Sequence, residues 1–237
     1  MLGGIDAPGG RQQEKGAARV PLSLLLRHRS TWGIALGQMG NLYAYFFFMT
    51  WLPGYLILEK KMSVLKTGMV ASLPFMIGVA GTVAGGWIGD YLIHHGWSLT
   101  ASRKGLIGVG LSMAMVTVVT AAFTPQIWLV VTLLSLCMWF MRITAGSTNA
   151  LPMDLAPPEA IGSLASIQNF GGNIGGLLAP IVTGYIVQAT GSFVYALVTA
   201  GGMALFGAIS YVFLVGNLEV LEINVAPAPT GHPAMQA

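Results

Sequence analysis

Apolar residues run almost unbroken through six stretches of the chain, near 31–58, 65–93, 105–123, 127–150, 162–189 and 192–215. About 20 such residues are needed to cross the hydrocarbon of a bilayer. Backbone groups in lipid find no water to bond, so a single segment satisfies them only as a helix. The pattern therefore predicts an all-α integral membrane protein with six transmembrane helices. The stretch Gly85 to Lys104, GGWIGDYLIHHGWSLTASRK, gives the clearest boundary. It closes the second run with Gly81, Gly85 and Gly89 at four-residue spacing, places Asp90 where that run stops, and reaches Arg103 and Lys104 before the third. Small residues four apart let helices approach closely in lipid. Asp90, at the membrane surface, reads as a gating or packing carboxylate. Residues 1–30 are polar and basic and read as a cytoplasmic linker or tail, 31–215 as the helical bundle, and 216–237 as a Pro- and Ala-rich disordered tail.

Composition removes other classes. Hydrophobic residues make up 54% of the 237 and charged residues 8%, against about a quarter charged in soluble domains. The net charge of +3 is small and lies in loops, so it speaks to orientation and not to nucleic-acid binding. Residues 1–30 lack the apolar core and small-residue cleavage site of a signal peptide. The tail before the first run and the loop after the second hold Arg11, Lys15, Arg19, Arg27, Arg29, Arg103 and Lys104, whereas the loop after the first holds Lys60, Lys61 and Lys66. That bias predicts both termini on the cytoplasmic side of the cell (inner) membrane. The single Cys137 lies inside an apolar run and reads as a small buried hydrophobe.

The second and fifth runs are alike. An offset of 91 pairs Ser72 with Ser163, Leu73 with Leu164, Gly81 with Gly172 and Gly85 with Gly176. Two units of three spans each, the second inverted, is a construction typical of secondary transporters. Helix packing alone also asks for small residues at such positions.

Ionisable residues within spans are costly and are functional candidates by default. Arg142, in FMRITAGSTNALPMD, shares a helical face with Gly146 and Asn149. A guanidinium facing a watery cavity binds a carboxylate bidentately; snorkelling, or pairing with a neighbouring helix, is the other reading. In SIQNFGGNIGG, Asn169 and Asn173 share a face, with Gln168 beside it. These amides can bond a polar solute or join helices. Asn41 and Tyr45 fall at helical spacing with Gln38, and Tyr43 lies on an adjacent face, again as solute contacts or interhelical bonds. His94 and His95 lack partners at metal-ligand spacing, Asp154 and Glu159 flank Pro157 and Pro158 as a rigid turn, and no GxxxxGK[ST] loop, HExxH motif or acid cluster occurs. No cofactor, metal or catalytic residue is expected.

Three stretches carry a resemblance: TWGIALGQMGNLYAYFFFMTWLPGYL, GGWIGDYLIHHGWSLTASRK and LPMDLAPPEAIGSLASIQNFGGNIGGLLAPIVTGYIVQ. With them the chain resembles the C-terminal six-helix half of a major facilitator superfamily transporter, closest to the anion:cation symporter branch that includes sugar-acid carriers. Tyr91 stands where many members have arginine. The resemblance implies two inverted three-helix repeats and symport of a sugar acid such as a hexonate, hexuronate or aldarate with H+. It implies a substrate site completed by an N-terminal half or a second copy, with Asn169 matching a substrate-contacting asparagine. Gly81, Gly85, Gly172 and Gly176 are structural positions in this reading. The alternatives are a truncated, inactive fragment and a non-transporting membrane scaffold.

Overall fold

A computed structural model describes residues 21–221. The expectations for 1–20 and 222–237 lie outside the described residues. A short helix α1 (Leu22–Leu25) leads into α2 (Arg29–Leu58), α3 (Val64–His94), α4 (Leu99–Ala122), α5 (Ile127–Ile143), α6 (Ala145–Leu155), α7 (Ile161–Thr190) and α8 (Val194–Ile209), which ends in a π-helical turn, Ser210–Leu214. Five stretches are long and apolar enough to cross a membrane: α3, α4, α5 with α6 as one unit of 29 residues, α7, and α8 with its π turn. At 30 residues α2 matches them in length, but Gln38, Asn41, three tyrosines and its glycines lower its mean hydropathy.

Residue types explain where the helices start and stop. Ser98 caps α4 by accepting a bond from the Ala101 N–H at 3.1 Å, the usual way an orphan first-turn donor is satisfied. Gly191 ends α7 in the left-handed region, φ 68°, and its N–H donates to the Val187 carbonyl, as a glycine C-cap does. Pro53, Pro74, Pro152 and Pro180 all lie inside helices, a usage tolerated in membrane helices where neighbours re-satisfy the freed carbonyls. Hydroxyls are kept within their own helix: Thr50, Thr120, Thr132 and Thr199 each donate to the carbonyl four residues earlier.

The sequence reading ends the fourth span near 150. The helix instead continues to Leu155 and breaks at Thr144, whose hydroxyl donates to the Met141 carbonyl at 2.7 Å. Asp154, expected in a turn, sits within α6. The extension is possible because Pro152 falls late in α6, where only one turn of the helix follows it.

Packing follows a regular plan. The most extensive seams are α2 on α7 and α3 on α5, then α4 on α8, α4 on α5 and α2 on α8. Exchanging the first three long helices for the last three reproduces the same set of seams. The two most extensive seams are built on glycine. A Cβ on Gly81 would come within 2.7 Å of the Trp139 carbonyl oxygen, and one on Gly85 would overlap the Ile143 carbonyl. On the other side, Gly171 and Gly175 bring α7 equally close to the Ala35 and Met39 carbonyls of α2. Their neighbours Gly172 and Gly176 instead meet the side chains of Leu42, Gln38 and Phe46. Fully buried Phe47, Phe48, Leu111, Leu134, Met138 and Tyr211 fill the space between the seams.

Candidate anion site

Arg142 lies near the middle of the α5–α6 unit, in the last turn of α5 before the break at Thr144. Gly78 on α3 makes room for it, since a Cβ there would stand 3.0 Å from the Arg142 Cγ. One turn on, Thr82 accepts the Arg142 Nε–H at 3.3 Å, while its own hydroxyl donates to the Gly78 carbonyl at 3.2 Å. The guanidinium carbon lies 5.6 Å from the centre of the Tyr45 ring on α2, within cation–π range. These groups, with Phe75, Val79, Val83 and Met138, line a cavity of about 390 Å³ between α2, α3 and α5, a size within the range of small-molecule sites.

The electrostatics leave Arg142 open to a ligand. Its contacts use one N–H and one aromatic face, and among the described residues the single ion pair is Arg103 with Asp154. A guanidinium carries five donors, so the bidentate edge is available for a carboxylate. The acidic residues among those described, Glu59, Asp90, Asp154, Glu159 and Glu219, lie at helix ends or outside helices.

Of the residues singled out from the sequence, the fold brings Tyr45 and Arg142 together in this cavity. Asn169 and Asn173 share an exposed face of α7 with Phe170 and Leu177 and do not line it. Gln168 is buried on the other side of α7, donating to the Thr148 carbonyl at 2.9 Å and to the Tyr211 hydroxyl at 3.3 Å. Tyr211 in turn donates to Gln38 Oε1 at 2.6 Å, so one polar network joins α2, α6, α7 and the end of α8. Asn41 is buried where α2 meets Gly207 of α8. Tyr43 is 3% exposed, and its hydroxyl finds no partner among the described residues. Asp90 is exposed. The ion pair at that end of the bundle joins α4 to α6 instead, with Arg103 Nε 3.2 Å from Asp154 Oδ2. Phe75, Gly78 and Thr82 were missed from sequence. Their signal was present, because Gly78 and Thr82 extend the Gly81/Gly85 stripe along the side of α3 that meets α5.

Comparison with known proteins accords with this architecture. The Major Facilitator Superfamily profile matches residues 96–234. The chain is 39% identical over 200 residues to the probable galactarate/D-glucarate transporter GarP of Escherichia coli K12, covering 84% of this chain and 45% of that protein. It is 36% identical to the D-galactonate transporter of Escherichia coli O6:H1, covering 86% and 48%, and 29% identical to the hexuronate transporter of Bacillus subtilis, covering 89% and 50%. The chain thus spans about half the length of the relatives it matches. A crystal structure of a bacterial homologue of the human lysosomal transporter Spinster, inward-facing and unoccupied, superposes with a TM-score of 0.56 at 15% identity, over 90% of this chain and 50% of that one, and so shares the fold. The chain is a multi-pass membrane protein and belongs to the Major Facilitator Superfamily.

Proposed function

We propose that this chain forms one six-helix half of an inner-membrane transporter for a sugar-acid anion, and that Arg142 holds a substrate carboxylate. The observation that carries the reading is a mid-span guanidinium in a cavity of about 390 Å³ with no carboxylate bound to it among the described residues. Burying an unshared charge in a membrane is costly, and an incoming carboxylate offsets that cost. The relatives named for galactarate, glucarate, galactonate and hexuronate transport narrow the anion to this class.

The site is completed by a second six-helix unit. Asn169 and Asn173 stand exposed on α7 among apolar residues, where lipid would leave their amides unpaired; facing a second unit across a watery cleft, they bond the polyol of the same substrate. No acid among the described residues lies deep in a span, so the proton that drives symport is carried by a group of that second unit. The symmetric seams favour two inverted three-helix repeats with α2 as the sixth span. The glycines in backbone contact, Gly81 and Gly85 against Gly171 and Gly175, favour an offset of 90, one less than the sequence alignment suggests. The basic bias supports a cytoplasmic location for the Arg103 end of the bundle and for both termini.

Uptake of labelled galactarate, D-glucarate, D-galactonate and a hexuronate tests the proposal in cells lacking sugar-acid carriers. The chain is expressed alone and beside the N-terminal six helices of a relative. Saturable uptake is expected only from the pair. Uptake by the chain alone favours assembly of two copies, and no uptake of any of these anions by either arrangement overturns the reading.

A further inference from the structure

A second cavity lies away from Arg142, as a groove of about 940 Å³ between α4 and α8. Its polarity is graded along its length. One end holds Ser98, Thr100, Lys104, Asn217 and Glu219, and the other Val109, Met113, Leu205, Ile209 and Phe213. From Ser98 to Met113 the wall rises about 22 Å along α4 at 1.5 Å per residue, from the polar N-terminal end of that helix into its apolar length. Its apolar rim is open, with Val109 64% and Phe213 72% exposed.

The polar end gathers positive charge. Lys104 Nζ donates to the Val212 carbonyl at 3.0 Å and to that of Val215, which belong to the unpaired carbonyls left where the π turn ends. One ammonium N–H remains. The exposed Arg29 guanidinium stands just beyond the groove's lining, beside Gly216, the residue before Asn217, with its Nη2 3.5 Å from where a Cβ would stand. Neither cation has an ion pair among the described residues, although the groove also carries the Glu219 carboxylate. The first turn of α4 adds the positive end of a 24-residue helix.

We infer that this groove is a binding site for an anionic glycerophospholipid, its phosphodiester held by Lys104, Arg29 and the start of α4, and an acyl chain lying along Val109, Met113 and Phe213. A charged head joined to an apolar tail matches both the gradient and its direction. A free phosphate ion would use the polar end alone and leave the apolar length open to other occupants.

Native mass spectrometry of the full 237-residue chain in detergent, with phosphatidylglycerol or phosphatidylcholine of the same acyl chains added, reads the site directly. The expected result is preferential retention of phosphatidylglycerol, with glycerol phosphate failing to compete. Removing a surface cation weakens anionic-lipid binding by about fivefold, so Arg29→Gln should lower phosphatidylglycerol retention by about that factor and leave phosphatidylcholine unchanged. Val109→Trp, at an exposed position, should block the apolar length and reduce retention of both lipids. Lys104→Gln is the stronger variant but also frees two carbonyls, so the first two decide. Equal retention of the two lipids, displacement by glycerol phosphate, unchanged retention in either deciding variant, or lipid-free dimers in place of adducts would each overturn the inference.

Discussion

Adjacent glycines on α3 make opposite predictions when each receives a single methyl group. A Cβ at Gly85 would overlap the Ile143 carbonyl oxygen and stand 2.7 Å from its carbon and 2.8 Å from the Ile143 Cα, whereas one at Gly86 would meet nothing within 4 Å. Ordinary carbon contacts lie near 3.5–4.0 Å, so Gly85→Ala forces α3 and α5 apart by about 1 Å. Overpacking of that kind costs about 1–3 kcal/mol. Gly86→Ala adds no clash, and the helix-propensity gain of up to about 1 kcal/mol is common to both changes. The two variants should therefore differ by about 1–3 kcal/mol. At roughly 2–4 °C per kcal/mol for a chain of this size, that is about 2–12 °C in the melting temperature of detergent-purified protein, followed by size exclusion after heating. Because Thr82 and Arg142 meet across the same seam, the Gly85 variant should also lose anion uptake in the paired assay while the Gly86 variant retains it. Equal melting temperatures for the two would refute the close approach of α3 and α5.

Two further outcomes follow from the polar contacts. Gln168→Leu removes the amide that donates to Thr148 and Tyr211 and should cost about 1–3 kcal/mol, because the Thr148 carbonyl is left buried without that partner; a thermal melt within error of the parent would count against the network. Arg103→Asp should destabilise by about 1 kcal/mol, and the double variant with Asp154→Arg should regain most of it, since the pair is only 22% and 16% exposed but still near the surface; no regain would mean the two side chains do not pair in the membrane.

The helices were the most legible part of the chain, because lipid leaves an apolar 20-residue run few other forms. Boundaries were less so. The fourth span carried past Pro152 because proline near a helix end sacrifices little, and its break at Thr144 arises from a hydroxyl bond to Met141 that no apolar pattern records. Arg142 and Tyr45 were each visible as polar residues inside spans, yet their meeting depends on how α2, α3 and α5 cross. The Gln38–Tyr211–Gln168 network is harder still, since Gln38 and Tyr211 lie 173 residues apart in sequence. Asp90 read as a gating or packing carboxylate because it stood at the membrane surface where the second run stops. The fold leaves it exposed and pairs Arg103 with Asp154, an acid hidden from sequence reasoning by the prolines that follow it. The groove between α4 and α8 gave no motif, only small residues on α4 and a π turn that periodicity treats as more helix.

Whether Arg142 binds the carboxylate of the carried anion is decided by the kinetics of Arg142→Lys in the paired uptake assay. Lysine keeps the charge but loses the planar fork. A lost hydrogen bond to a charged ligand costs about 1.5–3 kcal/mol, so the apparent affinity for galactarate or galactonate should fall roughly ten- to a hundredfold at unchanged membrane abundance. Uptake constants for Arg142→Lys equal to those of the parent would contradict the account and leave Arg142 as a packing residue held by Thr82 and Tyr45.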